Sequence, residues 1–355
     1  MSFDAARVLD AIAALRLGEV RLMEVCGTHT MAIAKSGIRT MLPENVKLLS
    51  GPGCPVCVTP GAVIDAVLDL AMRPGVTVAT YGDMVRVPGS TPGDNLARRR
   101  ALGAKVEVVY SPVDAVRLAE ERPGEEIVFL GVGFETTAPG TAAAVLTARE
   151  RGVKNFSLFS MLKTVEPALR ALIASEGFNV QGFLCPGHVA TIIGERGFDF
   201  LPRDYGLPAV ISGFEPEDIL GAVYLLLRQL AEGKSLVQNE YRRAVAPDGN
   251  PLARAMMERC FAPRRDLWRG LGAIEDSGLG LRGELADFDA EKKFGVEYRE
   301  ASRPTACRCG EVITGRLGAN ECPLFGKRCT PEDPVGPCMV SSEGACAAAY
   351  KYQSV

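Results

Sequence analysis

Residues 50–60, Ser50-Gly-Pro-Gly-Cys-Pro-Val-Cys-Val-Thr-Pro60, form the turn around which the chain is organised. The apolar run 46–50 before the turn is predicted to be a strand. The glycines and the proline that follow end this strand because they disfavour continued regular structure. Cys54 and Cys57 then precede a helix-like segment at residues 62–72. This arrangement puts both sulfurs near a helix N-terminus, where free N–H groups favour the thiolate over the thiol.

A Cys-x-x-Cys pair at such a turn has two chemical uses. It can cycle between dithiol and disulfide, or it can supply two ligands to a soft metal ion. A structural zinc site normally needs a second close pair of ligands, and none lies near Cys54 and Cys57 in the sequence. The pattern therefore favours redox chemistry over structural zinc.

The length and charge of the chain indicate how many domains to expect and which kinds of partner to exclude. The 355 residues are enough for two or three domains. The balance of 40 basic and 43 acidic residues, with no block of Lys or Arg, predicts no nucleic-acid partner. The chain starts without a basic and apolar targeting pattern, and no apolar run is long enough to span a bilayer. We therefore expect a cytoplasmic protein with no membrane partner.

The cysteine content needs a chemical explanation. The chain has eleven cysteines, six of which follow residue 300. Persistent disulfides are disfavoured in the cytoplasm, so this concentration of thiols indicates a metal site. Four of the six are separated by 14, 6 and 16 residues: Cys307, Cys322, Cys329 and Cys346. Four such thiolates suit either zinc or an iron–sulfur cluster, and Cys309 and Cys338 are spare cysteines that the spacing does not assign.

Strand-like runs alternate with helix-like runs between residues 20 and 213. Strands are predicted at residues 20–25, 47–50, 76–80, 105–110, 126–131, 155–160, 180–185 and 208–212. Helices are predicted at about residues 4–17, 30–35, 62–72, 94–102, 113–121, 140–151, 165–175 and 190–195. Short strands separated by helices predict right-handed βαβ units and parallel sheets. The predicted fold class is α/β, with two similar parallel-sheet domains, at residues 20–122 and 123–213, that face a cleft.

The remainder is predicted to form a smaller domain, residues 214–355 together with a helix in residues 1–19. It begins with apolar helices at residues 218–231 and 252–260. Beyond Pro263 the alternation stops, and Gly, Pro and Cys dominate the sequence. We expect this helical and cysteine-rich domain to be stabilised mainly by the group that its cysteines bind.

Loops of unusual composition fall at the predicted carboxyl ends of the strands. They are Cys26-Gly-Thr-His-Thr30, residues 51–60, Tyr81-Gly-Asp-Met84, Gly133-Phe-Glu-Thr-Thr137, Cys185-Pro-Gly-His188 and Gly213-Phe-Glu215. In α/β sheets, ligands bind beyond the carboxyl ends of the strands and in clefts between domains. The coincidence of the loops therefore predicts one shared site.

The first of these loops holds the strongest candidate residues. Cys26 and His29 can place a thiolate and an imidazole on one turn. The alternative is that Cys26 is a small buried residue and that His29 caps the following helix. The chain has two histidines, both in glycine-containing loops at strand ends, which favours function. A position just before a helix also predicts a lowered pKa for Cys26.

Other loops hold weaker candidates. His188 and Cys185 share one loop, where a histidine is often a hydrogen-bonded core residue and a cysteine a buried hydrophobic residue. Glu135 can act as an acid, a base or a neighbour of a metal, although helix N-capping explains much of its loop. Cys260 lies in a helical pattern beside two methionines and is predicted to be a core residue.

Five motifs of the chain occur together in one known family. They are Cys26-Gly-Thr-His29, Gly51-Pro-Gly-Cys-Pro-Val-Cys57, Gly133-Phe-Glu-Thr-Thr137, Cys185-Pro-Gly-His188 and Ser341-Ser-Glu-Gly-Ala-Cys346. With them, essentially the whole chain resembles the HypD family of hydrogenase maturation factors. The resemblance implies a scaffold in [NiFe]-hydrogenase assembly. With the small partner HypC, such a scaffold holds an iron on which Fe(CN)2CO is assembled, and HypE supplies the cyanides.

The resemblance also implies roles for individual residues. Cys26 corresponds to the family's iron-site cysteine, with His29 expected to orient or protect the site, and Cys54 and Cys57 correspond to its redox pair. The family's third domain carries a [4Fe–4S] cluster, whose ligands correspond to Cys307, Cys322, Cys329 and Cys346. The site residues predicted to take part in the chemistry are Cys26, His29, Cys54, Cys57, Glu135 and His188.

A rival interpretation comes from a different class of protein. The chain would be a thiol–disulfide oxidoreductase that acts on protein disulfides and carries a structural zinc ion. Such a protein is expected to be a single small thioredoxin-like domain, which two α/β halves and a cysteine-rich third part do not match. The resemblance therefore gives the preferred interpretation.

Overall fold

The computed structural model describes residues 4–298 and 306–352. The strands are β1 Val20–Glu24, β2 Val46–Ser50, β3 Val76–Thr80, β4 Lys105–Val108, β5 Glu126–Gly133, β6 Phe156–Leu162, β7 Gly182–Pro186, β8 Ala209–Ser212, β9 Val237–Asn239, β10 Phe261–Trp268 and β11 Gly272–Leu281. The helices are α1 Ala5–Ala14, α2 Gly27–Ser36, α3 Ile38–Met41, α4 Pro55–Val58, α5 Gly61–Ala71, α6 Leu96–Ala101, α7 Pro112–Glu121, α8 Ala138–Glu150, α9 Val165–Ile173, α10 Gly187–Ile193, α11 Phe200–Tyr205, α12 Pro216–Ala231, α13 Pro251–Cys260, α14 Ala290–Lys293, α15 Cys309–Val312, α16 Pro337–Val340 and α17 Ala345–Tyr352. Short 3₁₀ helices span Gly82–Arg86, Glu195–Phe198, Gly283–Phe288 and Ala319–Glu321.

Two parallel sheets form the centre of the fold. One has the strand order β2-β1-β7-β8-β9 and the other the order β4-β3-β5-β6. All neighbours in both sheets are parallel. Every residue of β3 and β6 is buried, as expected of apolar strands with helices on both faces. The predicted α/β class with parallel sheets is confirmed, and each of the eight predicted strands is present.

The grouping of strands into sheets differs from the sequence prediction. That prediction placed the first four strands in one half of the fold and the next four in the other. Instead, the chain leaves the first sheet after β2, builds the second sheet from β3 to β6, and returns to the first sheet at β7. Periodicity cannot reveal this arrangement, because long-range packing selects the pairing partners of a strand. The domain limits at residues 122 and 213 stay a prediction.

A hairpin lies where no strand was predicted. β10 and β11 pair antiparallel across residues 261–281, within the part of the chain that was expected to be helical and cysteine-rich. Gly270 and Gly272, with φ of +79° and +77°, make the turn between the strands. In the hairpin, the indole N–H of Trp268 donates to Ser277 Oγ at 2.8 Å, which satisfies a buried donor.

The cysteine-rich C-terminal region packs into the main core. Cys309, Cys338 and Cys346 belong to the same cluster of buried residues as Met23 of β1 and Cys57. Helix α17 packs against α2, and α16 packs against α4. Among residues 4–298 and 306–352, no helix is long and apolar enough to cross a membrane.

Two glycines allow the loop after β2 to cross the end of β1 so closely that the two backbones are in contact. A Cβ atom at Gly51 would lie 2.7 Å from the carbonyl oxygen of Glu24, and one at Gly53 would overlap the backbone nitrogen of Cys26. Hydrogen bonds hold the crossing: Gly51 N donates to Glu24 O at 2.8 Å, and Gly27 N donates to Gly53 O at 3.3 Å. The crossing fixes Cys26 next to the loop that carries Cys54.

We expect Gly53→Ala to destabilise the protein by about 1–3 kcal/mol or more, because the new methyl group meets rigid backbone. Gly140→Ala is the matched control. Gly140 lies in α8 with no atom within 4 Å of the added Cβ, so this change should be neutral or stabilising by up to about 1 kcal/mol. Urea unfolding measures both changes. If the two variants were equally stable, the close crossing of the two backbones would not restrict the side chain at position 53.

Candidate thiol site and cysteine pocket

Loops from both sheets line one pocket with a volume of about 330 Å³. The loops after β1, β2 and β7 contribute from one sheet, and the loops after β3 and β5 contribute from the other. Ser341, Ser342 and Glu343 of the C-terminal region complete the wall. The pocket thus lies beyond the carboxyl ends of parallel strands, where α/β proteins bind their ligands. Of the sequence-predicted residues, Cys26 and His188 line it.

Cys26 precedes α2 and is 7% exposed. Burial raises the pKa of Cys26 to about 12, and the charges of Glu343 and Glu24 act in the same direction. The backbone N–H of His29 lowers this pKa but does not outweigh burial. The sequence-based expectation of a lowered pKa was therefore wrong. Without a bound cation, Cys26 is a protonated thiol at neutral pH.

A buried carboxyl group supports the Cys26 loop. Glu24 Oε2 accepts a hydrogen bond from Cys26 N at 3.2 Å, and Glu24 Oε1 accepts one from Thr30 Oγ1 at 2.5 Å. The guanidinium group of Arg39 lies 4.0 Å from Glu24 Oε1. Burial raises the pKa of Glu24 to about 7. Sequence reasoning missed Glu24, although an acidic residue in an otherwise apolar strand is a usable signal.

The C-terminal loop contacts the Cys26 loop directly. Glu343 Oε1 accepts a hydrogen bond from Thr28 Oγ1 at 2.7 Å. A Cβ atom at Gly27 would overlap the side chain of Glu343, so the glycine permits this approach. Burial raises the pKa of Glu343. Sequence reasoning missed Glu343 as a site residue, although it lies within the motif that ends at Cys346.

Cys54 and Cys57 lie at the start of α4, next to the C-terminal loop. Cys54 Sγ accepts a hydrogen bond from Cys57 N at 3.2 Å and lies 3.3 Å from Ser341 Oγ. Ser341 Oγ in turn donates to Asp83 Oδ2 at 3.4 Å, and Ser342 N donates to the same oxygen at 3.0 Å. Burial raises the pKa of Cys57 well above its usual value. The helix start therefore does not make Cys57 a stable thiolate.

The two histidines enclose one aromatic ring. The Phe214 ring lies 3.9 Å from the His188 ring and 4.7 Å from the His29 ring, measured between centroids. His29 is fully buried behind the pocket wall, and its Nε2 is 2.8 Å from the carbonyl oxygen of Gly213. Because a carbonyl only accepts, Nε2 carries the proton. Burial lowers the pKa of His29 to about 4, so its ring is neutral at pH 7.

Glu135 does not line the pocket. One carboxyl oxygen accepts a hydrogen bond from Val165 N, the first residue of α9, at 2.9 Å. The other, Oε2, is buried without a hydrogen-bond partner in the part of the chain that the structure describes. Burial raises the pKa of Glu135 to about 7. Glu135 therefore contacts the N-terminus of α9, whereas the alternative weighed from the sequence was N-capping of the helix that follows its own loop.

The six C-terminal cysteines line a second, apolar pocket. We call it the cysteine pocket and define it by Cys307, Cys309, Cys322, Cys329, Cys338 and Cys346. Apolar side chains, among them Leu324, Phe325 and Met339, fill the remaining wall. The sequence region with the highest cysteine density therefore forms one pocket.

The donor set of the cysteine pocket suits an iron–sulfur cluster. Backbone N–H groups point at two of the thiols: Cys309 N lies 3.4 Å from Cys307 Sγ, and Val335 N lies 3.4 Å from Cys329 Sγ. Such N–H donors stabilise thiolate sulfur in clusters. A Cβ atom at Gly336 would overlap Cys307 Sγ, so the glycine leaves room for the sulfur.

Thiols of the cysteine pocket lie in contact with one another. No group of three His, Cys, Asp or Glu side chains within residues 4–298 and 306–352 is arranged to hold a metal ion. Cys309 contacts Cys307 and Cys338 through their side chains. The pocket volume is about 20 Å³, enough for about one water molecule.

Two cysteines outside both pockets are core residues. Cys185 in β7 and Cys260 at the end of α13 are fully buried. They belong to separate hydrophobic clusters. The prediction for Cys260 is confirmed, and Cys185 occupies the buried position that was weighed as its alternative.

The fold and both pockets define a class of α/β protein in which a buried pocket thiol, a Cys-x-x-Cys pair and a cysteine-rich C-terminal region share one core. The HypD family model, described as the hydrogenase formation hypA family, matches residues 4–353. The chain therefore belongs to the HypD family of hydrogenase maturation factors.

Similar proteins cover nearly the whole chain. The hydrogenase maturation factor HypD of Azotobacter vinelandii is 46% identical over 340 residues, which is 94% of this chain and 89% of that protein. HypD of Escherichia coli (strain K12) is 45% identical over 335 residues, with the same shares. HypD of Rhodobacter capsulatus is 44% identical over 354 residues, which is 98% of this chain and 93% of that protein.

The raised pKa of Glu135 makes stability depend on pH. Because the folded protein holds this proton more tightly, its stabilising effect is complete below about pH 4.5 and is lost as pH rises through about 7. Glu135→Gln keeps the acceptor for Val165 N but cannot ionise. We expect its stability relative to wild type to rise by about 3 kcal/mol from pH 4.5 to pH 7.5.

Urea unfolding at several pH values measures this difference. Glu176→Gln is the matched control, because Glu176 is an exposed carboxylate after α9. Its relative stability should change by less than about 1 kcal/mol over the same range. A flat profile for Glu135→Gln would show that Glu135 is ionised in the folded protein.

Proposed function

We propose that this chain is the scaffold on which an iron atom receives two cyanide ligands and one carbon monoxide ligand during [NiFe]-hydrogenase maturation. The observation that carries the proposal is the convergence of the Cys26 loop, the Cys54 loop and the C-terminal loop at one pocket. A HypC-like small protein is the expected partner for holding the iron, and a HypE-like protein is the expected cyanide donor. Family membership supports both expectations.

Cys26 is the proposed protein ligand to the iron under assembly. Cyanide and carbon monoxide prefer an electron-rich iron, and a soft thiolate favours such a centre. Iron binding requires Cys26 to lose a proton that burial otherwise holds tightly. Glu343, whose charge helps to raise the pKa of Cys26, is the proposed acceptor of that proton. One thiolate holds iron weakly, so a second ligand is expected from the HypC-like partner.

Cys54 and Cys57 are the proposed source of electrons for cyanide transfer. Release of cyanide from a thiocyanate-like group leaves the donor as a thiolate and takes up two electrons. Oxidation of the two thiols to a disulfide provides two electrons and two protons. One proton restores the thiol of the donor, and the other leaves the site. The hydrogen bond from Cys54 through Ser341 to Asp83 offers that proton a route to the pocket.

A [4Fe–4S] cluster is proposed in the cysteine pocket. Cys307, Cys322, Cys329 and Cys346 would hold it, and when bound it supplies electrons singly. Support comes from the spacing of these cysteines and from the N–H groups directed at Cys307 and Cys329.

Cys26→Ala tests the iron site. We expect a folded protein that keeps the iron of its C-terminal region but shows no cyanide or carbonyl infrared bands when isolated with its small partner. Cys260→Ala removes a buried thiol far from the pocket and should retain the bands. If Cys26→Ala retained them too, Cys26 would be a packing residue and not a ligand.

Iron content tests the cysteine pocket. We expect Cys307→Ala to lose the bound iron and its broad visible absorption, because one of four ligands is missing. Cys309→Ala, a neighbour in the same pocket, should keep both. The reverse result would overturn the ligand assignment, and a colourless protein that contains zinc would favour the rival oxidoreductase.

A further inference from the structure

The turn of the β10–β11 hairpin contacts both α4, the helix of the Cys-x-x-Cys pair, and α15, which begins at Cys309. Arg269 N donates to Val58 O of α4 at 2.7 Å. A Cβ atom at Gly270 would lie 2.6 Å from the carbonyl oxygen of Gly310 in α15. The turn therefore joins the helix of the redox pair to the cysteine pocket through close backbone contacts.

The side chain of Arg269, at the start of this turn, binds a carbonyl oxygen. Its Nε and Nη2 donate to Thr59 O at 3.2 Å and 2.8 Å, and a carbonyl oxygen carries no net charge. The guanidinium group forms no ion pair with a carboxylate among residues 4–298 and 306–352. Its positive charge is therefore available to act on other groups nearby.

The guanidinium group of Arg269 lies close to thiols of the cysteine pocket. Arg269 lines a cavity of about 170 Å³ together with Val335, the residue before Gly336. A Cβ atom at Gly336 would overlap Cys307 Sγ, so one short segment of backbone separates this cavity from the cysteine pocket. Contact with Cys309 and burial raise the pKa of Cys307, and the charge of Arg269 lowers it.

Arg308 also lies near these thiols, but a carboxylate compensates its charge. Its Nε donates to Glu311 Oε1 at 2.7 Å, and its Nη2 donates to the second oxygen of the same carboxylate. Such a bidentate pair binds the guanidinium group to one anion and weakens its field at other groups. The charge of Arg308 is therefore largely offset, whereas that of Arg269 acts on the pocket.

We propose that Arg269 is the cation that stabilises the cysteine-bound cluster of the cysteine pocket and raises its reduction potential. The inference rests on the proposed [4Fe–4S] cluster. Four thiolate ligands make such a cluster anionic, and reduction adds one electron from a one-electron donor outside the chain. Arg269 therefore stabilises the reduced form more than the oxidised form, because the attraction grows with the negative charge.

A purely structural role for Arg269 leads to a different expectation. Its two hydrogen bonds to Thr59 O hold the hairpin against α4, and their loss weakens this packing whatever charge the new side chain carries. Arg269→Lys keeps the positive charge but cannot reproduce the planar pair of donors. Arg269→Gln loses the charge as well as the pair of donors. The two variants therefore separate the effect of charge from the effect of hydrogen bonding.

Anaerobic redox titration of the full-length protein tests the proposal. Dithionite supplies the electrons, and electron paramagnetic resonance detects the reduced cluster without a signal from the thiols. We expect the midpoint potential of Arg269→Gln to lie below that of wild type, and that of Arg269→Lys to stay close to it. Arg7→Gln, which removes an exposed arginine of α1, should leave the potential unchanged. Arg269→Met is a second neutral form, and circular dichroism and iron content measure the folding and loading of every variant.

The wild-type protein separates this inference from the cluster on which it rests. If wild type holds neither iron nor a paramagnetic reduced state, the proposed cluster fails and the inference fails with it. If wild type holds the cluster and the neutral variants match its potential, or shift no more than Arg269→Lys, the role of the charge is wrong and the cluster stands. Loss of iron from the neutral variants alone would support stabilisation by charge, whereas loss from Arg269→Lys as well would indicate a structural role.

Discussion

The backbone crossing between the loop after β2 and the end of β1 is the constraint on which the site depends. Gly53 lies so close to Cys26 that no side chain fits between the two segments. Because β1 and β2 are also parallel neighbours in one sheet, the two sulfur-bearing loops have a fixed relative position. The C-terminal loop then contacts both of them, through Glu343 on the Cys26 side and Ser341 on the Cys54 side. Glycine at a few positions thus sets the distances between the loops of the candidate site.

The elements of the fold were largely predictable, whereas their assembly was not. Short apolar runs separated by amphipathic segments identify strands such as β3 and β6 from local sequence alone. The return of the chain to the first sheet at β7 depends on which strands pack side by side, and no local pattern encodes that choice. The hairpin β10–β11 was missed for a different reason. Its strands contain charged residues and glycines, so they lack the continuous apolar run that marked the other strands.

The candidate site was also predictable only in part. Motif spacing and strand ends located the loops of Cys26, Cys54 and His188, but not the direction in which each side chain points. Glu135 turns to α9 and His29 lies behind Phe214, because tertiary packing places both away from the pocket surface. The pKa of Cys26 was misjudged because a helix N-terminus is visible in sequence, whereas burial by a loop more than three hundred residues away is not.

Burial favours the neutral, protonated form of both the thiols and the carboxyl groups around the pocket. The pKa values of Cys26, Glu24 and Glu343 are all raised, so each group resists ionisation and opposes ionisation of its neighbours. A cation that enters the pocket reverses this preference, because its charge stabilises the anionic form of every nearby ligand. Proton release and metal binding are then one coupled step. Under the proposed scaffold function, this coupling returns the site to a neutral, protonated state once the metal leaves.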